Sequence, residues 1–152
     1  MTDARMLIDG GLVDATGGAT FDNVNPATEE VIGQLPSASR DDMARAVAAA
    51  RRAFDTTDWS TNHAFRRACL LQLQAAIESE QEEFRAELVA EVGCPVLLTY
   101  GPQLDAPLRE ALTWPAEQIE SFPWRRSIGP KDAMGVGYQT EREVWKEAAG
   151  VV

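Results

Sequence analysis

The sequence predicts a mixed α/β architecture, in which short β hairpins precede a helical section and an extended C-terminal segment. Turn signals between short apolar runs near the N-terminus indicate the hairpins. Apolar residues at helical spacing then extend from about residue 40 to about residue 122. Rough alternation of apolar and polar residues from Val136 to Trp145 predicts the final extended segment.

Composition limits the possible partners. The chain has 152 residues, 45% hydrophobic and 25% charged, which suffices for one domain with a core. Its net charge of −10 would repel a nucleic-acid backbone or an anionic membrane. No apolar run approaches the ~20 residues that a membrane span needs. The first residues carry acids and lack an apolar signal core, so we expect a cytoplasmic protein.

Two hairpins are predicted at the N-terminus. Asp9-Gly10 lies between short apolar runs, and such a turn needs positive φ. Asn25-Pro26 lies between strands predicted over Thr20–Val24 and Val31–Leu35. Proline fixes φ and pushes the preceding residue toward extended backbone, so this pair favours a tight turn.

Capping signals divide the helical section. Ser39 with Asp42 has the spacing of a capping box, and the first helix is expected to end near residues 55–57. Its predicted apolar face consists of Met43, Ala46, Val47, Ala50, Ala53 and Phe54. A second helix is predicted from about Asn62 to Glu78. Its inner stripe consists of Ala64, Ala68, Leu71 and Ala75, widened by Leu70 and Ile77.

A third helix is predicted to follow a second capping box formed by Ser79 and Glu82. Its predicted apolar stripe consists of Phe84, Leu88 and Val92. Gly93 and Pro95 should end it.

Proline interrupts the following helical stretch. Pro107 and Pro115 predict a kink or short helices over Val96–Phe122, with Pro115 opening the last helix. Ser127–Met134 is predicted to be a loop. The apolar, β-branched end of the chain, residues 150–152, is typical of the opening of a buried strand and is expected to mark a truncation.

The residues alone indicate no active site. Cys94 follows a helix C-terminus, where the dipole disfavours a thiolate, and Cys69 lies among leucines, so a structural role is favoured for both. His63 is the only histidine, and nothing in the sequence pairs it with a nucleophile and an orienting acid. We expect it to be solvated in the first turn of the second helix. Gly135-Val136-Gly137 lacks the third glycine and the helix of a nucleotide-binding fingerprint.

The order of several segments nevertheless resembles a known family. The segments are "MLIDGGLVDA", "FDNVNPATEEVIGQLPSAS", "DDMARAVAAARRAFD", "RRACLLQLQAAIESEQEEFRAELVAEVGCP" and "EREVWKEAAGVV", with Trp59 between the third and the fourth. Together they resemble the N-terminal part of the NAD(P)-dependent aldehyde dehydrogenase family, from about residue 6 to residue 152. The Asn-Pro-x-Thr segment and the alanine-rich helix are its most specific parts.

The resemblance implies an α/β family fold, represented here by its N-terminal part. Residues 1–135 would form the β-hairpin and helical part of the cofactor-binding domain. Residues 136–147 would form an oligomerisation-arm strand, and residues 148–152 would begin a truncated dinucleotide-domain strand. In the family a thiolate attacks the aldehyde and hydride passes to NAD or NADP. The family's catalytic Cys, Glu and Asn and its cofactor loops are absent from this sequence, so we expect an inactive fragment that binds no cofactor alone.

One binding role follows from the resemblance. Family members often hold a monovalent cation near positions that Asn23 and Glu91 match, and hard oxygen ligands suit such an ion. The alternative is that Glu91 is only an acid at a helix end.

Three functions compete at this point. The first is a piece of an aldehyde dehydrogenase, whose partners would be the remainder of the chain and, in the parent, identical subunits. The second is a standalone helical module that binds a dehydrogenase subunit through its strand arm. The third is independent nucleotide binding, which the absence of a phosphate-cradling loop disfavours.

Overall fold

Two antiparallel hairpins form the N-terminal part of the structure, a computed structural model that describes residues 4–132 and 135–151. Strand β1 (Met6–Ile8) pairs with β2 (Gly11–Val13), and β3 (Thr20–Val24) pairs with β4 (Val31–Pro36). Asp9 takes a φ of 55° in the first turn, so the hairpin predicted there is confirmed.

The Asn25-Pro26 turn is fixed by its own side chain. Asn25 Oδ1 accepts hydrogen bonds from the backbone N–H groups of Ala27 and Thr28, at 2.8 and 3.2 Å. The backbone N–H of Asn25 donates to the Glu30 carbonyl at 2.9 Å. An asparagine side chain that accepts a hydrogen bond from the backbone two residues later stabilises a turn at that point of the chain.

Helix α1 (Arg40–Thr56) begins at the predicted capping box. The Ser39 side chain accepts from the Asp42 N–H, and the Asp42 side chain accepts from the Ser39 N–H. The predicted apolar face, however, is only partly covered, because Met43 is 62% exposed and Val47 is 60% exposed, whereas its other residues include the half-buried Ala46, Ala50 and Phe54. The described residues therefore leave part of this face open to solvent.

Helix α2 (His63–Ser79) begins after Asn62, whose side chain accepts from the Phe65 N–H, and packs against α6 (Thr113–Ser121). The predicted inner stripe is wrong at its alanines, because Ala64, Ala68 and Ala75 are exposed, and right at its longer apolar residues, which are half-buried. Short alanine side chains remove little apolar area from water, so longer side chains decide which face turns inward. The buried and half-buried positions of α2 are His63, Arg66, Arg67, Cys69, Leu70, Leu71, Gln74 and Ile77.

Helix α3 (Gln81–Val92) begins where a break was predicted, but without the predicted cap. The Ser79 hydroxyl donates to the Ala76 carbonyl, and the Glu82 carboxylate pairs with Arg85. Gly93 ends the helix in the left-handed conformation, as predicted. The buried residue of α3 is Arg85, whereas Phe84 and Val92 of the predicted stripe are exposed.

Short helices follow, as the prolines predicted. They are α4 (Val96–Thr99), α5 (Asp105–Glu110) and α6. Pro115 is the third residue of α6 rather than the first. The N–H groups of the first helical turn have no intrahelical partner, so a proline costs no hydrogen bond there.

The C-terminal extended segment pairs within the chain. Strand β8 (Glu143–Trp145) pairs with β5 (Arg125–Ser127), and β7 (Gln139–Thr140) pairs with β6 (Lys131–Asp132). The loop prediction is therefore wrong at residues 127, 131 and 132, while its last two residues, 133 and 134, lie outside the described residues. Part of the segment predicted as an oligomerisation arm thus finds a backbone partner inside the chain. Residues 148–151 form no strand here, and residue 152 is outside the described part.

Few hydrophobic side chains are buried among the described residues. Those that are buried are Ala15, Leu108 and Ala116, while more than twenty large hydrophobic residues are exposed. None of the helices within residues 4–132 and 135–151 has the length and hydropathy of a membrane span.

Candidate functional site

The fold brings Asn23 and Glu91 into contact although they are 68 positions apart in the sequence. Asn23 lies near the end of β3, where the register with β4 shifts, and Glu91 lies in the last turn of α3. The Asn23 amide Nδ2 donates to Glu91 Oε1 at 2.6 Å. The two positions predicted as a cation site are thus neighbours at the junction of a hairpin and a helix end.

Close approach of Gly93 to the hairpin turn sets this junction. A Cβ added to Gly93 would lie 2.9 Å from Pro26 Cγ. Gly93 also has a φ of +68°, a conformation that glycine adopts without steric cost. The missing side chain therefore lets the Asn25-Pro26 turn rest on the end of α3, which places Asn23 beside Glu91.

Replacing Gly93 with alanine is expected to loosen this junction. The added Cβ has to adopt left-handed backbone, which costs about 1 kcal/mol. It also contacts Pro26, and overpacking of this kind costs about 1–3 kcal/mol more. Urea denaturation measures the total loss in the free energy of unfolding. Gly18→Ala is the matched control, because Gly18 has the same φ of +68° and no atom within 4 Å of the added Cβ. Equal losses in the two variants would show that the contact with Pro26 carries no weight.

The orientation of the Asn23 amide bears on ion binding. Its NH₂ group, a donor, faces the carboxylate, whereas a cation needs oxygen ligands. An ion shared by Asn23 and Glu91 would therefore require the amide to turn by about 180°, so that Oδ1 replaces Nδ2. Within the described ranges no group of three or more His, Cys, Asp or Glu side chains is arranged to hold a metal ion.

The candidate nucleophiles stand apart from the one histidine. Cys94 follows the C-terminal end of α3, and its Sγ contacts the carbonyl of the adjacent Pro95 at 3.7 Å. Cys69 lies within α2, and both thiols are free. His63 instead contacts Arg66 and Trp124. Among the described residues neither cysteine forms a hydrogen bond with His63.

His63 nevertheless differs from its predicted solvated state. Its ring stacks on Trp124 with the centroids 4.3 Å apart, and its Nδ1 lies 2.6 Å from Arg66 Nη2. Together with Phe54 and Trp145 these rings line an open cavity of about 530 Å³. Sequence reasoning missed this cluster, because the stacking joins residues 61 positions apart and no local signal links them.

Comparison with known proteins decides the family. The sequence profile of the aldehyde dehydrogenase family matches residues 12–152. This chain belongs to that family. The resemblance seen in the sequence is therefore confirmed, and so is the mixed α/β fold, because aldehyde dehydrogenase structures superimpose on most of the chain.

Curated relatives within the aldehyde dehydrogenase family are much longer than this chain. Aminoacetaldehyde dehydrogenase of Pseudomonas aeruginosa is 38% identical over 119 residues, which are 78% of this chain and 24% of the relative. Mitochondrial benzaldehyde dehydrogenase of Antirrhinum majus is 37% identical over 83 residues, which are 54% of this chain and 16% of the relative. The chain thus spans about a quarter or less of the length of these enzymes.

Solved structures give the same proportion. An indole-3-acetaldehyde dehydrogenase in its apo form has a TM-score of 0.76 and 27% identity, over 86% of this chain and 30% of that one. An aldehyde dehydrogenase from Mycobacterium tuberculosis, complexed with NAD⁺, has a TM-score of 0.75 and 25% identity, over 82% of this chain and 26% of that one. The aldehyde dehydrogenase fold is therefore present here over a limited part of its length.

Proposed function

We propose that this chain is the N-terminal scaffold portion of an NAD(P)-dependent aldehyde dehydrogenase and catalyses no aldehyde oxidation alone. The family match over residues 12–152, combined with coverage of 24% of a curated relative, carries the proposal. In the whole enzyme, oxidation of an aldehyde to an acid would use the cysteine, glutamate, asparagine and cofactor loops of the remaining chain. This portion would bind neither NAD nor NADP by itself.

The exposed face of α1 supports a scaffold role. Met43 and Val47 lie one helical turn apart on a face that periodicity marks as apolar, and both are more than half exposed. Contiguous exposed apolar surface of this kind is typical of a face that another polypeptide covers. The proposed cover is the cofactor-domain sheet of the remaining chain, and without it we expect the isolated chain to self-associate.

The activity test is direct. Purified chain mixed with a panel of aldehydes and NAD or NADP is expected to give no reduced cofactor, measured by absorbance. Cys94→Ser is the control for the half-buried thiol of Cys94. Turnover in the unmodified chain that disappears in Cys94→Ser would contradict the proposal and would make Cys94 a nucleophile.

Self-association is tested with charge on the exposed face of α1. Met43→Glu combined with Val47→Glu is expected to convert an associating chain into a monomer, measured by sedimentation. Ala44→Glu with Ala48→Glu is a control of equal charge at other exposed positions of α1. A compact monomer with a cooperative melt in the unmodified chain would favour the standalone module instead.

We further propose that the strand arm, residues 136–147, joins subunits of the parent enzyme. The internal pairing leaves one edge of β8 for a partner. Lys146 donates its N–H to the Trp124 carbonyl at 2.8 Å, and Ile128 donates to the Arg142 carbonyl at 3.0 Å. Because bonding alternates along an antiparallel strand, residues 142, 144 and 146 face β5. The backbone groups of Glu143 and Trp145 then face outward, the usual position for pairing with a further strand.

Two proline variants distinguish the inner and outer edges. Val144→Pro removes a donor that faces β5 and is expected to abolish amide protection in the β5–β8 ladder. Trp145→Pro removes an outward donor and is expected to retain that protection while weakening subunit assembly of a full-length dehydrogenase carrying this segment. Trp145→Ala controls for loss of the side chain. Assembly that withstands Trp145→Pro would contradict the arm proposal.

Asn23 and Glu91 are proposed to bind a monovalent cation, with the Asn23 amide turned so that its oxygen faces the ion. Sodium or potassium chloride should then raise the melting temperature more in the unmodified chain than in Glu91→Gln. Equal responses would leave Glu91 as a helix-end acid.

We also propose a cytoplasmic location. It is supported by the two free thiols, because a reducing compartment keeps cysteines in the thiol form.

A further inference from the structure

His63 is the only histidine of the sequence, and it lies between a cation and an aromatic ring. Its imidazole is nearly parallel to the Trp124 indole, with an interplanar angle of 13°. On the same helix, Arg66 Nη2 lies 2.6 Å from His63 Nδ1. The Arg66 guanidinium carbon also lies 5.6 Å from the centroid of Trp124. The three side chains form one contact group, the His63–Arg66–Trp124 cluster.

The chemistry of this contact fixes the state of the imidazole. A guanidinium group has only donors, so in a bond with Arg66 the Nδ1 atom of His63 has to be the acceptor. A hydrogen bond donated by Arg66 therefore requires the neutral imidazole with its hydrogen on Nε2. A protonated imidazole carries hydrogens on both nitrogens and would present a donor to a donor.

Trp124 connects this cluster to the rest of the fold. Its indole Nε1 donates to the Ile119 carbonyl in α6 at 3.0 Å. Its backbone carbonyl accepts from the Lys146 N–H at 2.8 Å, directly after β8. The residue after Trp124, Arg125, begins β5. The ring on which His63 stacks thus lies at the base of the β5–β8 ladder.

We propose that His63 is a proton-sensitive latch between helix α2 and the base of the β5–β8 ladder. Protonation replaces the bond to Arg66 with the repulsion of two cations beside one indole ring. An imidazolium ion is itself attracted to an aromatic face, so it competes with Arg66 for Trp124. Acid therefore displaces Arg66 from the Trp124 ring. The position of Trp124 changes, and the β5–β8 ladder that begins there is weakened.

The charged surroundings of His63 come from several elements. Arg66 lies on its own helix, and Asp58 accepts from the Asn62 amide just before that helix. Glu120 of α6 pairs with Arg67, the next residue of α2. Arg125, Lys146 and Glu147 line the same cavity as His63. Arg125 is already paired with Glu143, so Glu147 is the remaining carboxylate in the lining of this cavity.

Nuclear magnetic resonance of the full 152-residue chain tests the latch, because one histidine gives one set of imidazole signals. At about pH 7.5 the nitrogen shifts should report hydrogen on Nε2 only. On acidification to about pH 5.5 the Trp124 indole N–H signal should move. Exchange of the Lys146 amide should accelerate relative to its intrinsic rate. Trp124→Phe assigns the indole signal.

Three variants make the result specific. His63→Gln is expected to remove the acid response of both Trp124 and Lys146. Arg66→Gln should also remove it, because no second cation remains beside the ring. Arg67→Gln is the matched control and should retain the response, since Arg67 pairs with Glu120.

Hydrogen on Nδ1 at about pH 7.5 would overturn the proposal. So would an acid response of Trp124 and Lys146 that persists unchanged in His63→Gln.

Discussion

Replacing Arg85 with methionine is expected to lower the ratio of folded to unfolded chain by roughly 100-fold, because the change leaves polar partners inside the fold without their hydrogen bonds. Arg85 is only 6% exposed. Its guanidinium donates twice to Glu82 at 3.0 Å, once to Asp105 at 2.9 Å and once to Thr99 at 2.9 Å. Methionine retains the length of the side chain and makes none of these bonds.

The position of Arg85 explains why this loss should be large. The guanidinium joins α3 to α4 and α5, and it also lies 3.9 Å from the centroid of the Tyr100 ring. Its hydrogen bond lowers the pKa of Asp105, which shows that it favours the ionised carboxylate. Thr99 is fully buried, so its hydroxyl oxygen would lose a donor where no water replaces it.

Urea denaturation and amide exchange over residues 96–105 measure the effect of Arg85→Met. Arg109→Met is the matched control, because Arg109 is an exposed arginine of α5. The control should change the folding ratio by about twofold at most. Similar losses in the two variants would show that the buried hydrogen bonds contribute no more than a surface charge.

The second large effect is expected at Asp42. Asp42→Ala should lower the folding ratio by roughly 100-fold, because this carboxylate is 1% exposed and joins α1 to the preceding loop. It accepts from the Thr16 hydroxyl at 2.6 Å, the Thr16 N–H at 3.0 Å and the Ser39 N–H at 2.8 Å. Asp41→Ala controls for the favourable interaction of any first-turn acid with the helix dipole, since Asp41 is exposed.

Acid should remove the contribution of Asp42 in a defined range. Hydrogen bonds from Thr16 and Ser39 hold the pKa of Asp42 well below its ordinary range. The unfolded chain, with an ordinary pKa of about 3.9, therefore binds the proton first. The stability that the ionised Asp42 contributes is fully present above that value and is lost as the pH falls below about 4 toward the pKa of Asp42 in the folded chain. The difference between the unmodified chain and Asp42→Asn should be constant above about pH 5 and shrink below pH 4. A constant difference across this range would contradict the assignment.

Local chemistry determined the element boundaries that the sequence predicted correctly. The Asp9-Gly10 turn, the Ser39–Asp42 capping box and the Gly93 stop each depend on residues a few positions apart. Backbone conformation and nearby side-chain hydrogen bonds suffice to fix such features. The family resemblance was also visible in the sequence, because it rests on the order of these same segments.

The sequence did not predict in the same way which face of each helix packs inward. The second helix turns its long polar side chains inward, and Arg85 rather than Phe84 is the buried residue of α3. Periodicity assumes that apolar residues meet a core, and it fails at Arg85, whose buried side chain is held by Thr99 and Asp105. The apolar face of α1 is the complementary case, since Met43 and Val47 fit the pattern and remain exposed.

The sequence by itself determined the two N-terminal hairpins, the bounds of α1, α2 and α3 to within a few residues, and the family. Only the tertiary structure decided that Asn23 donates to Glu91, that His63 stacks on Trp124, and that β8 pairs with β5. These contacts join residues 16 to 68 positions apart. Such contacts depend on how whole elements pack, whereas a turn or a cap is settled within a few residues.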